Sequence, residues 1–400
     1  ISYTPFEVAA QTFTGTTTMD VVAIAGDTTF ADGADIITAS AGTSNFRAGV
    51  NAGNSILSGG NYNTAVGDEA GTAITTGDNN VAVGYQAGAA VTTGVQNTLI
   101  GALAGDALTN SVLNTAVGYQ ALTSATTADL NTAIGANALS TNILSDRNVA
   151  LGYNSLATHN LASNGDSYNT ALGYSAGTAV TTGEKNTLVG GLAGDALTDA
   201  DFNTVVGMDA LSSDTLGSRS TAIGVGALNA QNFTSATDSY NVAVGMNAGN
   251  AVTTGVENTF IGGLAGDAVT TGSSNVAVGR ASFTANTKGN KNVAVGDAAL
   301  AAFNVTSDTN TYNTAVGQNA GGAVTTGVNN TLIGGLAGDA ITTGANNVCL
   351  GYQAGGAMTT GDNNVLLGLG IANIGALTGD NNIVIGDSAG ESMTSANNNI

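Results

Sequence analysis

The stretch Asn80 to Gln96 reads NVAVGYQAGAAVTTGVQ, and Asn241 to Glu257 repeats it almost unchanged as NVAVGMNAGNAVTTGVE. Both begin with the pentapeptide Asn-(Thr/Val)-(Ala/Leu)-(Val/Ile/Leu)-Gly, which recurs with small variations in 19 copies from Asn63 to Gly386. Most copies are 17 residues apart, and Asn45 to Gly49 is a degenerate first copy. A fixed period of this kind indicates a repeat architecture, in which each unit stacks on the next.

A second period of 72 residues lies over the first. The interval lengthens to 21 residues at three places, in the units that begin at Asn148, Ser220 and Asn292. These longer units contain similar four-residue inserts, each followed by a tyrosine: Tyr168, Tyr240 and Tyr312. We interpret the inserts as one loop displayed three times.

The length of the unit favours a β-solenoid. Seventeen residues are too few for two helices and a turn, whereas two short strands between glycine-containing turns fit well. We therefore predict an all-β fold, a parallel β-roll of about 19 coils, with the pentapeptide and Ala-Val-Thr-Thr as the two strands. With coils about 4.8 Å apart the rod would be about 90 Å long. The leading asparagines are expected to stack as a hydrogen-bonded ladder, beginning with Asn63, Asn80, Asn97, Asn114 and Asn131.

The first strand of each unit is apolar, or nearly so, on consecutive residues, as in Val81-Ala82-Val83 and Thr98-Leu99-Ile100. Consecutive side chains of a strand point to opposite faces. One face can fill the coil, and the other leaves an apolar wall along the rod. We therefore predict that copies of this chain cover the wall, as a homo-oligomer.

The repeated Asn-Thr-Ala-Val-Gly-x-x-Ala strings resemble the head repeats of trimeric autotransporter adhesins. Strings such as Asn169 to Gly177 are also similar to the shafts of bacteriophage tail fibres. The resemblance covers about residues 45 to 400 and implies a left-handed parallel β-roll with three chains around one axis. No coiled-coil stalk or membrane anchor of the adhesin kind follows the repeats, which favours the fibre shaft.

The resemblance implies a structural role in the virion. We expect a tail-fibre shaft that positions a receptor-binding end for host attachment. Its expected partners are the other copies of the chain in a homotrimer, other virion proteins, and a host glycan or surface receptor. The alternative is the head of an adhesin on the bacterial outer surface or in the extracellular space, with other cell-surface proteins as partners, which binds matrix or a glycan. A monomeric ice-binding solenoid, based on the recurring Thr-Thr pairs, is a third hypothesis.

We divide the chain into two domains. Residues 1 to 44 lack the repeat and are expected to form an N-terminal cap or attachment segment, with short strands at Val21 to Ala25 and Asp35 to Thr38. Residues 45 to 400 are the shaft. Because Asn399-Ile400 begins a further copy, we expect the natural chain to continue.

Composition excludes several function classes. Seven Lys and Arg against 28 Asp and Glu give a net charge of −21, so we expect no nucleic-acid partner and no anionic membrane partner. His159 is the one histidine and Cys349 the one cysteine, too few for a zinc site or a nucleophile–histidine pair in this repeat. We predict no enzyme activity, no cofactor and no metal site. Acidic residues of the Ala-Gly-Asp-Ala strings are interpreted as solvated, with calcium binding as the lesser alternative: Asp106, Asp195, Asp267 and Asp339.

The inserts are the candidate ligand-binding site. An aromatic ring with a nearby amide suits glycan stacking and hydrogen bonding, and the three inserts carry such pairs at a regular spacing. The alternative is that each tyrosine packs back over the edge of the coil. The candidate residues are Asn160, Tyr168, Asn232, Phe233, Tyr240, Asn304 and Tyr312.

Overall fold

The computed structural model describes residues 41–373, 377–391 and 393–400, and these form a parallel β-solenoid of about 20 turns. Of the predicted N-terminal segment only residues 41–44 are described, and the strands expected at Val21 to Ala25 and Asp35 to Thr38 lie outside the described residues. All regular structure in the described residues is β. The prediction of an all-β solenoid with a 17-residue repeat is confirmed.

The described residues contain 26 short strands. In chain order they are β1 (Phe46–Ala48), β2 (Thr64–Val66), β3 (Val81–Val83), β4 (Thr98–Ile100), β5 (Thr115–Val117), β6 (Thr132–Ile134), β7 (Ser145–Asp146), β8 (Val149–Leu151), β9 (Gly165–Asp166), β10 (Thr170–Leu172), β11 (Thr187–Val189), β12 (Thr204–Val206), β13 (Gly217–Ser218), β14 (Thr221–Ile223), β15 (Thr237–Asp238), β16 (Val242–Val244), β17 (Thr259–Ile261), β18 (Val276–Val278), β19 (Gly289–Asn290), β20 (Val293–Val295), β21 (Thr309–Asn310), β22 (Thr314–Val316), β23 (Thr331–Ile333), β24 (Val348–Leu350), β25 (Val365–Leu367) and β26 (Ile383–Ile385).

Twenty of these strands, each of three residues, form one parallel sheet that runs the length of the solenoid. Each pentapeptide pairs with the next in register, so that Ala65 lies opposite Ala82 and Ala82 opposite Leu99. The degenerate first copy is β1, which pairs with β2. The remaining six strands form three parallel pairs at the inserts: β7 with β9, β13 with β15, and β19 with β21.

The predicted second strand of each coil is wrong. The Ala-Val-Thr-Thr segments form turns, although their backbones still bond between coils, as in Thr75 N to Thr92 O at 2.9 Å and Thr92 N to Thr109 O at 2.8 Å. The regular ladder stops here because Val91 N donates within its own coil, to Gly88 O at 3.1 Å, and Thr92 O accepts from both Thr75 N and Gly77 N of the preceding coil. The first hydroxyl of each pair is used in the same way, because Thr75 Oγ1 donates to Thr92 O at 3.1 Å.

The interior of the coil is filled by the middle residue of the strand and by apolar residues of the turns, such as Ala82, Ala87 and Val91. Glycines make room where the middle residue is large. A Cβ on Gly105 would lie 2.7 Å from Leu99 Cδ2. A large middle residue is therefore matched by a glycine in the turn beside it, as close packing requires.

The glycine that ends each strand is required by the backbone. Gly67 has φ of +125°, and a Cβ there would lie 2.6 Å from the carbonyl oxygen of Gly84 in the next coil. A side chain is excluded both by conformation and by the approach of the next coil. This is the corner role that the sequence predicts for the glycine.

Candidate functional site

The leading asparagines form a continuous buried ladder. The backbone N–H of Asn80 donates to Asn63 Oδ1 at 2.9 Å, and its amide Nδ2 donates to Asn63 Oδ1 at 3.1 Å and to Gly94 O at 2.8 Å. Asn97 binds Asn80 in the same way. The pattern passes through Asn114 and Asn131. Each amide is therefore committed to its neighbours and holds one coil to the next.

The ladder is interrupted once, at Ser220. Its hydroxyl lies 2.6 Å from Ser239 Oγ and accepts a hydrogen bond from Gln231 Nε2 at 2.9 Å. Gln231 Oε1 in turn accepts from Asn241 Nδ2 at 2.9 Å. Three side chains of the second insert unit thus replace the missing asparagine.

The insert asparagines point their oxygens back to the preceding coil. Asn160 Oδ1 accepts from Ile143 N at 3.1 Å, and Asn232 Oδ1 accepts from Thr215 Oγ1 at 3.1 Å. Asn304 Oδ1 accepts from the backbone N–H of Thr287 at 3.2 Å and from its hydroxyl at 3.0 Å. These amides close the inserts onto the solenoid.

Phe233 lies inside the coil. Only 5% of this residue is exposed, and a Cβ on Gly217 would be 2.7 Å from its ring. Phe233 therefore packs in the core of the insert and does not project toward solvent.

The three tyrosines lie beside the sheet, two residues after the second strand of each insert pair. Tyr168, Tyr240 and Tyr312 each directly precede a ladder asparagine, have φ of 53°, 49° and 51°, and are about half exposed. Among the hydrogen bonds of the described residues, none joins these tyrosines to the insert asparagines. The aromatic–amide site therefore stays a prediction.

Tyr168 and Tyr240 belong to a cation–aromatic column, which we define as the residues before the ladder position in six consecutive coils. Arg147 lies 5.8 Å from the ring of Tyr168, and Arg219 lies 4.8 Å from the ring of Phe202 and 5.9 Å from the ring of Tyr240. Lys185 lies 5.1 Å from the Phe202 ring. Cations and rings alternate along the column: Arg147, Tyr168, Lys185, Phe202, Arg219 and Tyr240.

Acidic residues neutralise this column from one side. Arg147 Nε bonds Asp166 Oδ1 at 2.7 Å, and Arg219 Nε bonds Asp238 Oδ1 at 3.0 Å. Tyr168 donates its hydroxyl to Asp166 Oδ2 at 3.0 Å. The hydrogen bonds from Arg147 and Tyr168 lower the pKa of Asp166. The column therefore presents aromatic rings together with paired charges.

The outer face of the parallel sheet is apolar and uncovered in the single chain. In nineteen of the twenty strands the middle residue is buried, and its two neighbours are half-buried or exposed, as in Val242–Val244 and Thr259–Ile261. Several outer residues are more exposed, among them Leu172 at 45%, Ile261 at 40% and Leu350 at 47%. This is the wall that the consecutive apolar residues predict.

His159 and Cys349 are both buried in the interior. Burial lowers the pKa of His159 to about 4, and its Nε2 lies 2.9 Å from Ser167 Oγ. Cys349 is stacked between Leu332 and Leu366, and burial raises the pKa of its thiol to about 12. A thiol of that pKa is protonated at neutral pH, so Cys349 acts as a small core residue.

The acidic residues are more involved in the fold than the sequence indicates. Asp78 Oδ1 accepts from the backbone N–H of Asn61 at 2.6 Å, and Asp129 Oδ1 accepts from Val112 N at 2.8 Å. Of the four Ala-Gly-Asp-Ala acids, burial raises the pKa of three: Asp195, Asp267 and Asp339. Asp106 accepts a hydrogen bond from Thr123 Oγ1 at 2.5 Å. Within the part of the chain that the structure describes, no three His, Cys, Asp or Glu residues are grouped so as to hold a metal ion.

Comparison with known proteins adds no family to this geometry: no protein-family model matches the chain, and no curated protein matches it either. Over residues 41–373, 377–391 and 393–400, no helix has the length and apolar character needed to cross a membrane.

Proposed function

We propose that this chain is the shaft of a homotrimeric fibre, and specifically of a bacteriophage tail fibre that holds a receptor-binding end away from the virion. The observation that carries the proposal is the uncovered apolar face of the twenty-stranded sheet. Its role would be mechanical, because hydrogen bonds join successive coils in register and the buried ladder, with Ser220 in place of one asparagine, runs alongside them.

The exposed face calls for a partner of the same length and period. Fully burying a Val, Leu or Ile side chain contributes about 1.5 to 3 kcal/mol, so covering the half-buried outer residues of many coils would yield a strongly favourable interface. Another copy of this chain has the same coil spacing because its sequence and fold are identical. The resemblance of the repeats to trimeric adhesins and fibre shafts supports three copies around one axis.

The second candidate is the head of a trimeric adhesin on the bacterial surface, which binds matrix or a glycan along the rod itself. The observation that favours it is the repetition of one insert at three heights. The insert loops expose hydroxyl and amide groups, at residues 162–164, 234–236 and 306–310. Such groups suit hydrogen bonding to sugars.

The mass of the particle in solution, measured by light scattering coupled to size exclusion, tests the assembly. Three chains of 38.8 kDa predict about 116 kDa. A particle of 38.8 kDa would sink both the fibre and the adhesin proposals. Immunogold labelling of virions and of intact bacteria then separates the two, since a fibre shaft is expected on virions and an adhesin head on the cell surface.

A triple variant tests the face directly. Leu172→Asp, Ile261→Asp and Leu350→Asp place carboxylates on the outer face of three separate strands, and we expect the 116 kDa particle to dissociate to chains of 38.8 kDa. The matched control carries aspartates at exposed threonines of the turns, Thr93→Asp, Thr254→Asp and Thr326→Asp, and should keep the mass of the parent. Equal behaviour of the two variants would remove the face from the interface.

A further inference from the structure

Two columns of exposed side chains border the apolar face. The pre-ladder column consists of the residues directly before each ladder asparagine, and the post-glycine column consists of the residues directly after each strand glycine. Among the described residues, 31 large apolar side chains are exposed. All of them except Leu57 and Ile143 lie in one of these two columns or in the strand segment that separates the columns within each repeat. The apolar band of the solenoid therefore extends past the sheet to both borders.

The pre-ladder column holds bulky residues against local preference. Every residue in it has φ near +55°, for example 61° at Arg147 and 59° at Phe202. A left-handed conformation costs a residue with a side chain about 1 kcal/mol, and asparagine tolerates it best. Five late coils do use asparagine there: Asn329, Asn346, Asn363, Asn381 and Asn398. The cation–aromatic column thus has Arg, Lys, Tyr and Phe at positions where asparagine would be less strained. This choice points to a role for their side chains other than stabilising the backbone of the coil.

The inference rests on the proposed homotrimer. If three copies turn their strand faces to a common axis parallel to the stack of coils, equivalent coils lie at equal height. The residues that meet between copies are then those at the two borders of the face. In a closed ring each contact is heterologous, so that one border of a copy meets the other border of the next.

We infer that the pre-ladder column of one copy packs against the post-glycine column of the neighbouring copy, coil against the same coil. In the coils of the cation–aromatic column, the post-glycine residues carry no charge and are mostly large: Tyr153, Tyr174, Gly191, Met208, Val225 and Met246. Tyr153 and Tyr174 are already stacked, with ring centroids 5.7 Å apart. Aromatic rings and thioethers are suitable partners for the stems and planar groups of Arg and Lys and for tyrosine edges. A second copy of this chain supplies that surface at the matching spacing.

Engineered cysteines test the seam. Tyr240 and Met246 lie at opposite borders of the same coil and are 54% and 58% exposed. The strand between them keeps the two positions far apart in one chain, at roughly 3.3 Å per residue, well beyond the 7 Å limit for a disulfide. The variant Tyr240→Cys with Met246→Cys is oxidised, or treated with a short bis-maleimide, and run on a denaturing gel after light scattering has established its mass. The buried thiol of Cys349 is present in every variant, so any crosslinking through it is the same background in all of them.

The expected result is a covalent trimer for the double variant. Each single variant should stay uncrosslinked. A pair displaced by two coils, Tyr240→Cys with Met208→Cys, should crosslink far less. A 116 kDa particle without crosslinks would overturn the seam and leave the trimer standing. Crosslinked dimers from Tyr240→Cys alone would also overturn it, because like borders would then meet. A monomeric particle would refute the proposed function itself.

Discussion

Regular coils and insert coils follow the same path but are filled differently. At the twelfth position of regular units the interior holds an aliphatic residue, such as Val91, Val180 or Val252. At each insert the twelfth position is mostly polar both in the coil before the insert and in the insert coil itself. The pairs are Asn142 with His159, Asp214 with Gln231, and Asn286 with Phe303, all fully buried.

The polar residues serve the insert. Asp214 accepts hydrogen bonds from Gly217 N at 3.0 Å, from Gln231 Nε2 at 2.6 Å and from Phe233 N at 3.1 Å. Asn142 makes two bonds with the backbone of Ser145, at 2.8 and 2.9 Å, and Asn286 has a similar pair with Gly289. The wider coil breaks the regular turn and leaves backbone groups that only a polar side chain can satisfy.

The third insert combines both solutions. Phe303 stacks on Phe283 with ring centroids 5.9 Å apart, while Asn286 still caps the turn beside it. The comparison teaches that a solenoid can tolerate an insertion every fourth coil. The condition is that a polar side chain of the preceding coil accepts hydrogen bonds from the backbone N–H groups that the insertion leaves unpaired. The insert coils should therefore depend on single polar side chains, and the regular coils on packing alone.

The largest effect is expected from converting an insert coil to the regular type. Asp214→Val would leave three buried donors without their acceptor, and each orphaned buried donor costs about 1 to 3 kcal/mol. We expect the local opening free energy of residues 203–241 to fall by about 3 kcal/mol or more. Hydrogen exchange resolved by peptide is the proper measurement, because a long repeat array need not unfold in one step.

The matched control for that variant is Asp199→Val, an exposed acid in the preceding coil. The local opening free energy from hydrogen exchange should change by less than about 0.5 kcal/mol, as is usual for surface substitutions. Equal protection of the Asp214→Val insert and the parent insert would show that the polar cluster does not hold the insert.

The second prediction concerns acid. The folded pKa of His159 is about 4, against 6.5 for the free side chain. The unfolded coil therefore binds a proton between these values and the folded coil does not. The stability from neutral His159 is complete above pH 6.5 and is lost as the pH falls toward 4. At 1.36 kcal/mol per pKa unit, the loss is about 3 kcal/mol.

His159→Gln copies the second insert, where Gln231 holds the same place. We expect little change at pH 7 and a coil more stable than the parent at pH 4.5, measured by exchange in residues 148–169. Buried carboxylates act in the opposite direction, because burial raises the pKa of Asp195 and so favours the folded state as the pH falls. Comparing the two proteins at each pH cancels that contribution. A parallel pH profile for both proteins would show that the pKa of His159 is the same in the folded and the unfolded coil.

Much of the fold follows from residues with a single physical role. The pentapeptide predicts the in-register strands, the strand glycine predicts the corner, and Asn80 lies between its neighbours in a stack. The predicted second strand fails because the sequence shows only β-branched residues there. The Val91 N–H bonds within its own coil, to Gly88 O, and a β-branched composition gives no signal of that turn. Local residue preference likewise gives no signal for the positive φ of Tyr168 and Leu122.

The sequence is less informative about where the insert tyrosines lie. Tyr168, Tyr240 and Tyr312 follow the inserts in sequence, so they look like part of the loops. In the structure they rejoin the regular pre-ladder column. A signal was present in Arg147, Lys185 and Arg219, which stand at the same unit position as the tyrosines and concentrate the few cations of the chain. Alignment by position before the ladder asparagine, rather than by proximity to the insert, reveals the column.

The smallest effect within one chain is expected at the junction between insert and regular coil. Tyr240→Asn replaces a strained residue by the one that late coils use, which relieves up to about 1 kcal/mol of left-handed strain. It also removes the ring that lies 5.9 Å from Arg219, a contact of about 0.5 to 1 kcal/mol. These terms nearly cancel, so the local opening free energy of residues 220–257 should change by no more than about 0.5 kcal/mol.

Assembly responds differently to Tyr240→Asn, because the substitution removes three tyrosines from the seams of a trimer. We expect the variant trimer to dissociate at lower denaturant concentration than the parent, followed by light scattering, while Ser235→Asn at an exposed insert residue leaves the midpoint unchanged. An unchanged midpoint for Tyr240→Asn would confine the cation–aromatic column to contacts within one chain.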